Sequence, residues 1–162
     1  MRRTQCTIAT LSVAALLSLS ACSTPTSGQG TVATGRSRVV ALLNDTLDSL
    51  PSDVHATGAP TTGTAPCRKK FLGYAVGGTG KHRVEGPLIV PLPGGANPRP
   101  LLDQLEARWR SQGFTIDRSG LSNQRYPKIG ATTPDGYTIV ATAITDQPPR
   151  LDLYATSQCL AR

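Results

Sequence analysis

Apolar positions recur along the chain with two different periods, and each period predicts a different kind of element. Residues 37–50 carry apolar side chains three and four positions apart, the spacing of one helix face. A second helix is predicted between Asn97 and Gly113. Asn97 is expected to be its N-cap, Pro98 its first residue and Gly113 the residue just past its end. Its apolar stripe consists of Leu101, Leu102, Leu105 and Trp109. Trp109 is therefore expected in the core, with the alternative that its side chain lines a pocket.

A period of two predicts short strands in the rest of the chain. The first strand is expected at residues 67–76, followed by a turn at residues 77–80. The second is expected at residues 84–90, where Pro87 favours a sheet edge or a bulge. The other strands are predicted at residues 114–118, 126–133, 137–145 and 150–159, with a hairpin turn at Pro134-Asp135-Gly136. Elements in this order predict an α+β fold, an antiparallel sheet of about five to six strands with both helices packed on one face.

The first 21 residues have the pattern of an export signal. Two arginines precede an uncharged apolar stretch at residues 7–19, which is shorter than the roughly 20 apolar residues that a spanning helix needs. The stretch ends in the motif Leu19-Ser20-Ala21-Cys22. This motif is typical of bacterial lipoprotein signals, in which the chain is cut before the cysteine. Cys22 is therefore the predicted lipidation site, and an ordinary secretory signal is the alternative.

Lipidation of Cys22 would anchor the chain on the extracytoplasmic face of the cell membrane. A diacylglyceryl group supplies two acyl chains and hence a stable anchor, whereas one chain binds reversibly. Residues 22–35 are small, polar and uncharged, so they are expected to form a flexible tether. Residues 36–162 are expected to form a single domain with a loose connection at residues 52–66.

The four cysteines divide by position. Cys6 is removed with the signal and Cys22 carries the lipid. Cys67 and Cys159 remain in an exported chain, so one disulfide between them is expected, with two free thiols as the alternative. Antiparallel pairing of the first and last strands would bring these cysteines together. Two cysteines and two distant histidines lack the spacing of a metal site, so no metal and no cofactor are expected.

The formal net charge of +7 falls to +5 without the signal, which holds two arginines and no acidic residue. Positive side chains concentrate around the turn between the first two strands: Arg68, Lys69, Lys70, Lys81 and Arg83. This cluster is a candidate contact for an anionic lipid, an anionic polymer or an acidic envelope protein. The alternative is a solvated hairpin whose charges discourage edge pairing. Nucleic acid is not an expected partner, because the chain is exported and has few aromatic residues for base stacking.

No catalytic constellation is recognisable. Residues 78–81 lack both ends of a phosphate-binding loop, because Ala75 and His82 stand where glycine and serine or threonine are needed. A hydrolase would require His82 or Asp135 in a cleft with a nucleophile. The sequence therefore favours a non-enzymatic binding or accessory module. A small envelope hydrolase and a lipid carrier with a pocket between helices and sheet are the alternatives.

These elements together resemble small cell-envelope lipoproteins of actinobacteria, those of mycobacteria in particular. The resemblance rests on the lipoprotein motif, the uncharged segment after it, and the two cysteines at Cys67 and Cys159. It also includes the helix exit Trp109-Arg110-Ser111-Gln112-Gly113-Phe114 and the hairpin Pro134-Asp135-Gly136-Tyr137. It extends from Cys22 to the last residue as a pattern of elements. It implies an envelope lipoprotein and supplies no catalytic residues.

Overall fold

The computed structural model describes residues 30–71, 74–146 and 148–162. At positions 70, 71 and 74–76 it describes the backbone alone. The described residues form the helices α1 (Val32–Leu47) and α2 (Arg99–Ser111), and the strands β1 (Gly63–Phe71), β2 (Tyr74–Pro91), β3 (Thr115–Asp117), β4 (Lys128–Thr132), β5 (Thr138–Ile144) and β6 (Arg150–Thr156). The strands form one antiparallel sheet in the order β1-β2-β6-β5-β4-β3. The predicted α+β architecture, with both helices on one face of the sheet, is confirmed.

The core lies between the helices and the sheet face that they cover. Alternate residues of β4, β5 and β6 point toward the helices and are buried. Trp109 of α2 is 1% exposed. Its indole Nε1 lies 3.4 Å from Thr46 Oγ1 of α1 and donates to it, so this side chain joins the two helices beneath their surface. The prediction that Trp109 belongs to the core is confirmed.

Helix α1 begins well before residue 37, its predicted start. Thr31 caps it, since Thr31 Oγ1 accepts from the backbone N of Thr34 and Thr34 Oγ1 accepts from the backbone N of Thr31. Gly35 packs so closely on the tail that a Cβ there would lie 2.3 Å from Leu160 Cδ1. The last four residues of the predicted tether, 32–35, therefore belong to α1, and the prediction is wrong for them. The local Thr31–Thr34 capping box and the packing of Gly35 against the distant Leu160 both accompany this earlier helix start.

The β1–β2 hairpin is longer than predicted. The predicted turn at residues 77–80 is wrong, because these residues lie inside β2 and Phe71 of β1 pairs with Tyr74 of β2. The register of β1 against β2 shifts between Pro66 and Lys69, opposite residues 76–82 of β2. Gly77 and Gly80 have φ angles of 62° and 74° there, which side chains with a Cβ rarely adopt. The glycines thus serve a β-bulge. Because β1 begins at Gly63, it also takes up part of the connection predicted at residues 52–66.

The first and last strands do not pair, contrary to expectation. Strand β2 lies between β1 and β6 and pairs with both. The strand that contains Pro87 was predicted at a sheet edge or with a bulge, and β2 as a whole is not an edge strand. Pairing with β1 stops at Glu85, however, and residues beyond it pair only with β6. Pro87 thus lies beyond the β1 ladder, where no strand flanks that side of β2 and the backbone N of Thr57 donates to Ile89 O at 3.2 Å. A residue without an N–H is tolerated there.

Cys67 and Cys159 form the predicted disulfide, although their strands are not neighbours. Past the end of β6 the chain follows β2, where the backbone N of Ser157 donates to Val84 O at 2.9 Å. Cys159 thereby reaches Cys67 beside the β2 bulge, with an S–S distance of 2.11 Å and a Cα–Cα distance of 6.1 Å. The C-terminal tail, and not strand pairing, brings the two cysteines together.

Two local predictions agree with the structure. At the start of α2, Asn97 Oδ1 accepts from the backbone N of Arg99 at 3.0 Å, although the helix begins at Arg99 with Pro98 directly before it, one residue later than predicted. Gly113 follows the helix with a φ of 77°. The predicted hairpin turn joins β4 to β5, where Gly136 has a φ of 84° and its backbone N donates to Thr133 O at 2.9 Å. In both places residues close in sequence are sufficient to determine the backbone.

Candidate functional site

One end of the domain brings together the start of α1, the β1–β2 hairpin and the C-terminal tail. The backbone N of Val32 donates to Ala161 O at 3.1 Å. The next tail residue inward, Leu160, exchanges two backbone hydrogen bonds of 2.9 and 2.7 Å with His82 of β2. The disulfide fastens the same tail to β1. This surface, formed by residues 30–36, 66–69, 77–83 and 157–162, is here termed the basic end.

Exposed cations dominate the basic end. Four of the five predicted basic residues are exposed there, namely Arg68, Lys69, Lys81 and Arg83. The side chain of Lys70 lies outside the described residues. Two further exposed arginines, Arg36 and Arg162, join them from α1 and from the tail. Sequence reasoning missed these two, because only the pairing of the tail with β2 and α1 brings them next to the hairpin.

Of the ten acidic residues in the chain, two lie beside the basic end, and an arginine pairs with each. Glu85 pairs with Arg83, and Asp135 pairs with Arg38. The remaining cations of this end form no ion pair with any described residue; they are Arg36, Arg68, Lys69, Lys81 and Arg162. The basic end therefore carries a net positive charge that no acidic side chain of the described residues compensates.

The pair between Arg38 and Asp135 clamps α1 to the β4–β5 turn. It is bidentate, with an Nε–Oδ2 distance of 2.9 Å and an Nη2–Oδ1 distance of 3.3 Å, and the guanidinium lies 5.9 Å from the centre of the Tyr137 ring. Burial alone raises the pKa of Asp135, but the hydrogen bonds and charge of Arg38 outweigh it, so the pKa lies below its usual value of 3.8. The Asp135 carboxylate is thus ionised and engaged with Arg38.

Replacing Arg38 by methionine should lower the free energy of unfolding by about 1 kcal/mol near neutral pH, because the pair is partly exposed and screened by solvent. The folded pKa of Asp135 lies below the unfolded value, so the pair stabilises the fold above pH 3.8 and loses this effect as the pH falls through the lower, folded pKa. Urea denaturation from about pH 7 to about pH 2 should therefore show the difference between wild type and variant shrinking. The matched variant Arg36→Met, on the exposed side of the same helix, should show little loss, and a deficit independent of pH would contradict the assignment.

His82 does not present a free base to an open cleft. Its Nε2 lies 3.4 Å from the Arg162 guanidinium, which can only donate, so this nitrogen acts as the acceptor. Its other ring nitrogen, Nδ1, is buried without a hydrogen-bond partner among the described residues. A general base must reach the proton that it removes, and neither nitrogen is placed to do so. The arrangement gives no support to a catalytic role for His82.

A polar groove of about 700 Å³ lies between the two helices at the other end of α1. Its lining residues are Asp45, Asp48, Ser49, Gln104, Arg108 and Gln112. The Gln104 Nε2 of α2 donates to Ser49 O at 2.8 Å and links α2 to the residues that follow α1. Arg36 of the basic end and Asp45 of the groove are nine positions apart on α1, so about 14 Å along the helix axis separates them.

The chain matches no protein-family model, no curated protein and no solved structure. Over residues 30–71, 74–146 and 148–162, no helix has the length and apolar character needed to cross a bilayer. The same ranges contain no group of three or more histidine, cysteine, aspartate or glutamate residues suited to a metal ion. Cys22 and the predicted signal lie outside the described residues. A proposal about function therefore depends on the sequence motif at Cys22 and on the basic end.

Proposed function

We propose that this protein is a lipoprotein, anchored through Cys22 to the extracytoplasmic face of the cell membrane, whose α+β domain is a non-enzymatic binding or accessory module. The motif Leu19-Ser20-Ala21-Cys22 at the end of an uncharged apolar stretch carries this proposal. The disulfide supports the compartment, because disulfides persist outside the reducing cytosol. The same class is implied by the resemblance to actinobacterial envelope lipoproteins.

The contacts of the candidate catalytic groups favour a binding module over a hydrolase. Asp135 is held by Arg38, and the His82 ring lies between the Arg162 guanidinium and the buried interior. A nucleophile, its base and an orienting group would have to converge on one open cleft. The observed contacts instead fix both side chains as parts of the fold.

The packing of the core favours a binding module over a lipid carrier. A carrier needs an apolar cavity of several hundred cubic ångströms, roughly the usual range for ligand pockets. Between the helices and the sheet, that space is filled by side chains such as Leu105, Trp109 and Ile139, each at most 1% exposed. Recognition at the surface is therefore the mode of binding that the domain supports best.

Changing Cys22 to serine should abolish anchoring, because a hydroxyl cannot receive the thioether-linked diacylglyceryl group. Wild-type protein should partition with the membrane fraction, and its intact mass should show cleavage before residue 22 and the added lipid. The matched variant Cys6→Ser alters a cysteine within the predicted signal and should leave mass and fractionation of the mature protein unchanged. An uncut, unacylated wild-type product, or a Cys22→Ser variant that carries the same acyl mass, would refute the proposal.

A further inference from the structure

The chain enters the domain within the basic end. Thr31 forms a parallel bridge with Ala161, and α1 starts at the next residue. Nine positions separate Cys22 from Thr31, and a stretch of that length spans at most about 30 Å. If Cys22 is anchored as in the proposed function, on which this inference rests, the basic end cannot lie farther than this from the bilayer surface.

The charges of the domain are distributed unequally along α1. At its start lie the five cations that have no ion-pair partner among the described residues. Near its C-terminal end lie Asp45, Asp48 and Asp53, all exposed. Such an asymmetry gives the domain a positive pole where the chain enters and a less positive pole opposite. A negatively charged surface at the point of attachment would orient the domain with the positive pole toward it.

We propose that the basic end docks on the anionic headgroups of the bilayer that holds the anchor. Each lysine or arginine near an anionic leaflet strengthens binding by roughly fivefold, corresponding to about 1 kcal/mol. The attraction acts within about one Debye length, roughly 8 Å at physiological ionic strength. An anchor at Cys22 holds Thr31 within about 30 Å of the bilayer, so the basic end can come within this range without diffusing from solution. An anionic polymer would offer similar charge, but the short chain between Cys22 and Thr31 places the headgroups nearest.

Docking in this way determines which surface of the domain remains available. The groove that includes Asp45 and Arg108 begins about 14 Å along α1 from Arg36, the last α1 residue of the basic end. It therefore opens on the side of the domain away from the bilayer. The anchored end and the free recess occupy opposite ends of one helix.

The experiment separates headgroup docking from lipid anchoring by using a chain that has no acyl group. Residues 22–162 with Cys22→Ser contain every described element of the domain. This protein should sediment with phosphatidylcholine vesicles that contain phosphatidylglycerol, and not with phosphatidylcholine alone. Binding at about 0.1 M salt should be lost at about 1 M, where the Debye length falls from roughly 10 Å to roughly 3 Å.

Two charge-matched double variants test the location of the contact. Arg68→Glu with Lys81→Glu, in the basic end, should lower the partition coefficient about 30-fold or more, since two favourable charges are lost and reversed. Arg99→Glu with Arg108→Glu makes the same formal change on α2, at two exposed positions that form no ion pair with a described residue. It should weaken binding by no more than about threefold, through net charge alone.

Two outcomes would overturn the inference: equal losses for the two double variants, or no binding to phosphatidylglycerol vesicles. In the second case, binding to soluble polyphosphate would assign the basic end to an anionic polymer. Circular dichroism and the intact disulfide mass establish that each variant is folded, and Arg68→Gln with Lys81→Gln replaces the glutamate pair should it fail to fold. Because acylation is measured separately at Cys22, failure here leaves the anchoring proposal standing.

Discussion

A chain without the Cys67–Cys159 disulfide should lose about 4 to 5 kcal/mol of unfolding free energy, the expectation for a closed loop of this length on the chain-entropy model. The two cysteines are 92 positions apart, so the bridge removes much conformational freedom from the unfolded chain. Cys67→Ala combined with Cys159→Ser is the suitable variant, because Cys67 is buried and Cys159 is exposed. A serine at the buried position would add the separate cost of an unpaired hydroxyl.

Urea denaturation of the oxidised wild type and of this double variant measures the loss. Wild-type protein treated with a thiol reductant provides the matched control and should unfold at the same urea concentration as the variant. A typical domain is stable by only about 5 to 15 kcal/mol, so the change is large enough to leave the variant marginally folded. Coincident unfolding curves for the variant and the oxidised wild type would show that the bridge contributes nothing.

Trp109→Ala should destabilise the domain by about 3 to 5 kcal/mol, the usual cost of truncating a buried aromatic residue to alanine. The indole fills the junction of α1, α2 and the sheet, and its Nε1 contacts Thr46. Truncation removes this packing, leaves a cavity, and takes the donor away from the Thr46 hydroxyl. The helices would then lose the side chain that joins them.

Chemical denaturation followed by far-UV circular dichroism measures this loss, since the change removes the only tryptophan of the chain. Arg108→Ala, at the neighbouring exposed position of α2, is the control and should shift stability by no more than about 0.5 kcal/mol. Trp109→Phe should fall between the two, because it keeps an aromatic ring and loses the donor. Equal stability of the Arg108 and Trp109 variants would contradict a core role for the indole.

The sequence was sufficient for features that depend on neighbouring residues. The apolar stripe of α2, its stop at Gly113 and the turn at Asp135 are local patterns, and the structure contains each of them. The start of α1 was missed because the Thr31–Thr34 capping box was not recognised, and because the packing of Gly35 against the distant Leu160 leaves no short-range pattern. The strand order was missed for a related reason, since strand periodicity defines which face is buried and does not identify which strand lies alongside.

The candidate site shows the same division. The basic residues of the hairpin were recognisable as a cluster, because Arg68 and Lys81 lie close in sequence to the turn. The contributions of Arg36 and Arg162 required knowing that the tail pairs with both β2 and α1. The engagement of Asp135 with Arg38 likewise joins positions 97 residues apart, a separation at which no short-range pattern is informative.

The disulfide ring begins at Cys67, so α1 lies outside it. A protease that cut once within residues 55–62, where most side chains are exposed, would leave two polypeptides without any covalent connection. One would keep α1 and everything before it, while the other would keep α2, the ring and the whole sheet. Separation of the two pieces would expose Val84 and its neighbours to water. The C-terminal fragment released by such a cleavage would therefore lose part of its core packing and be destabilised.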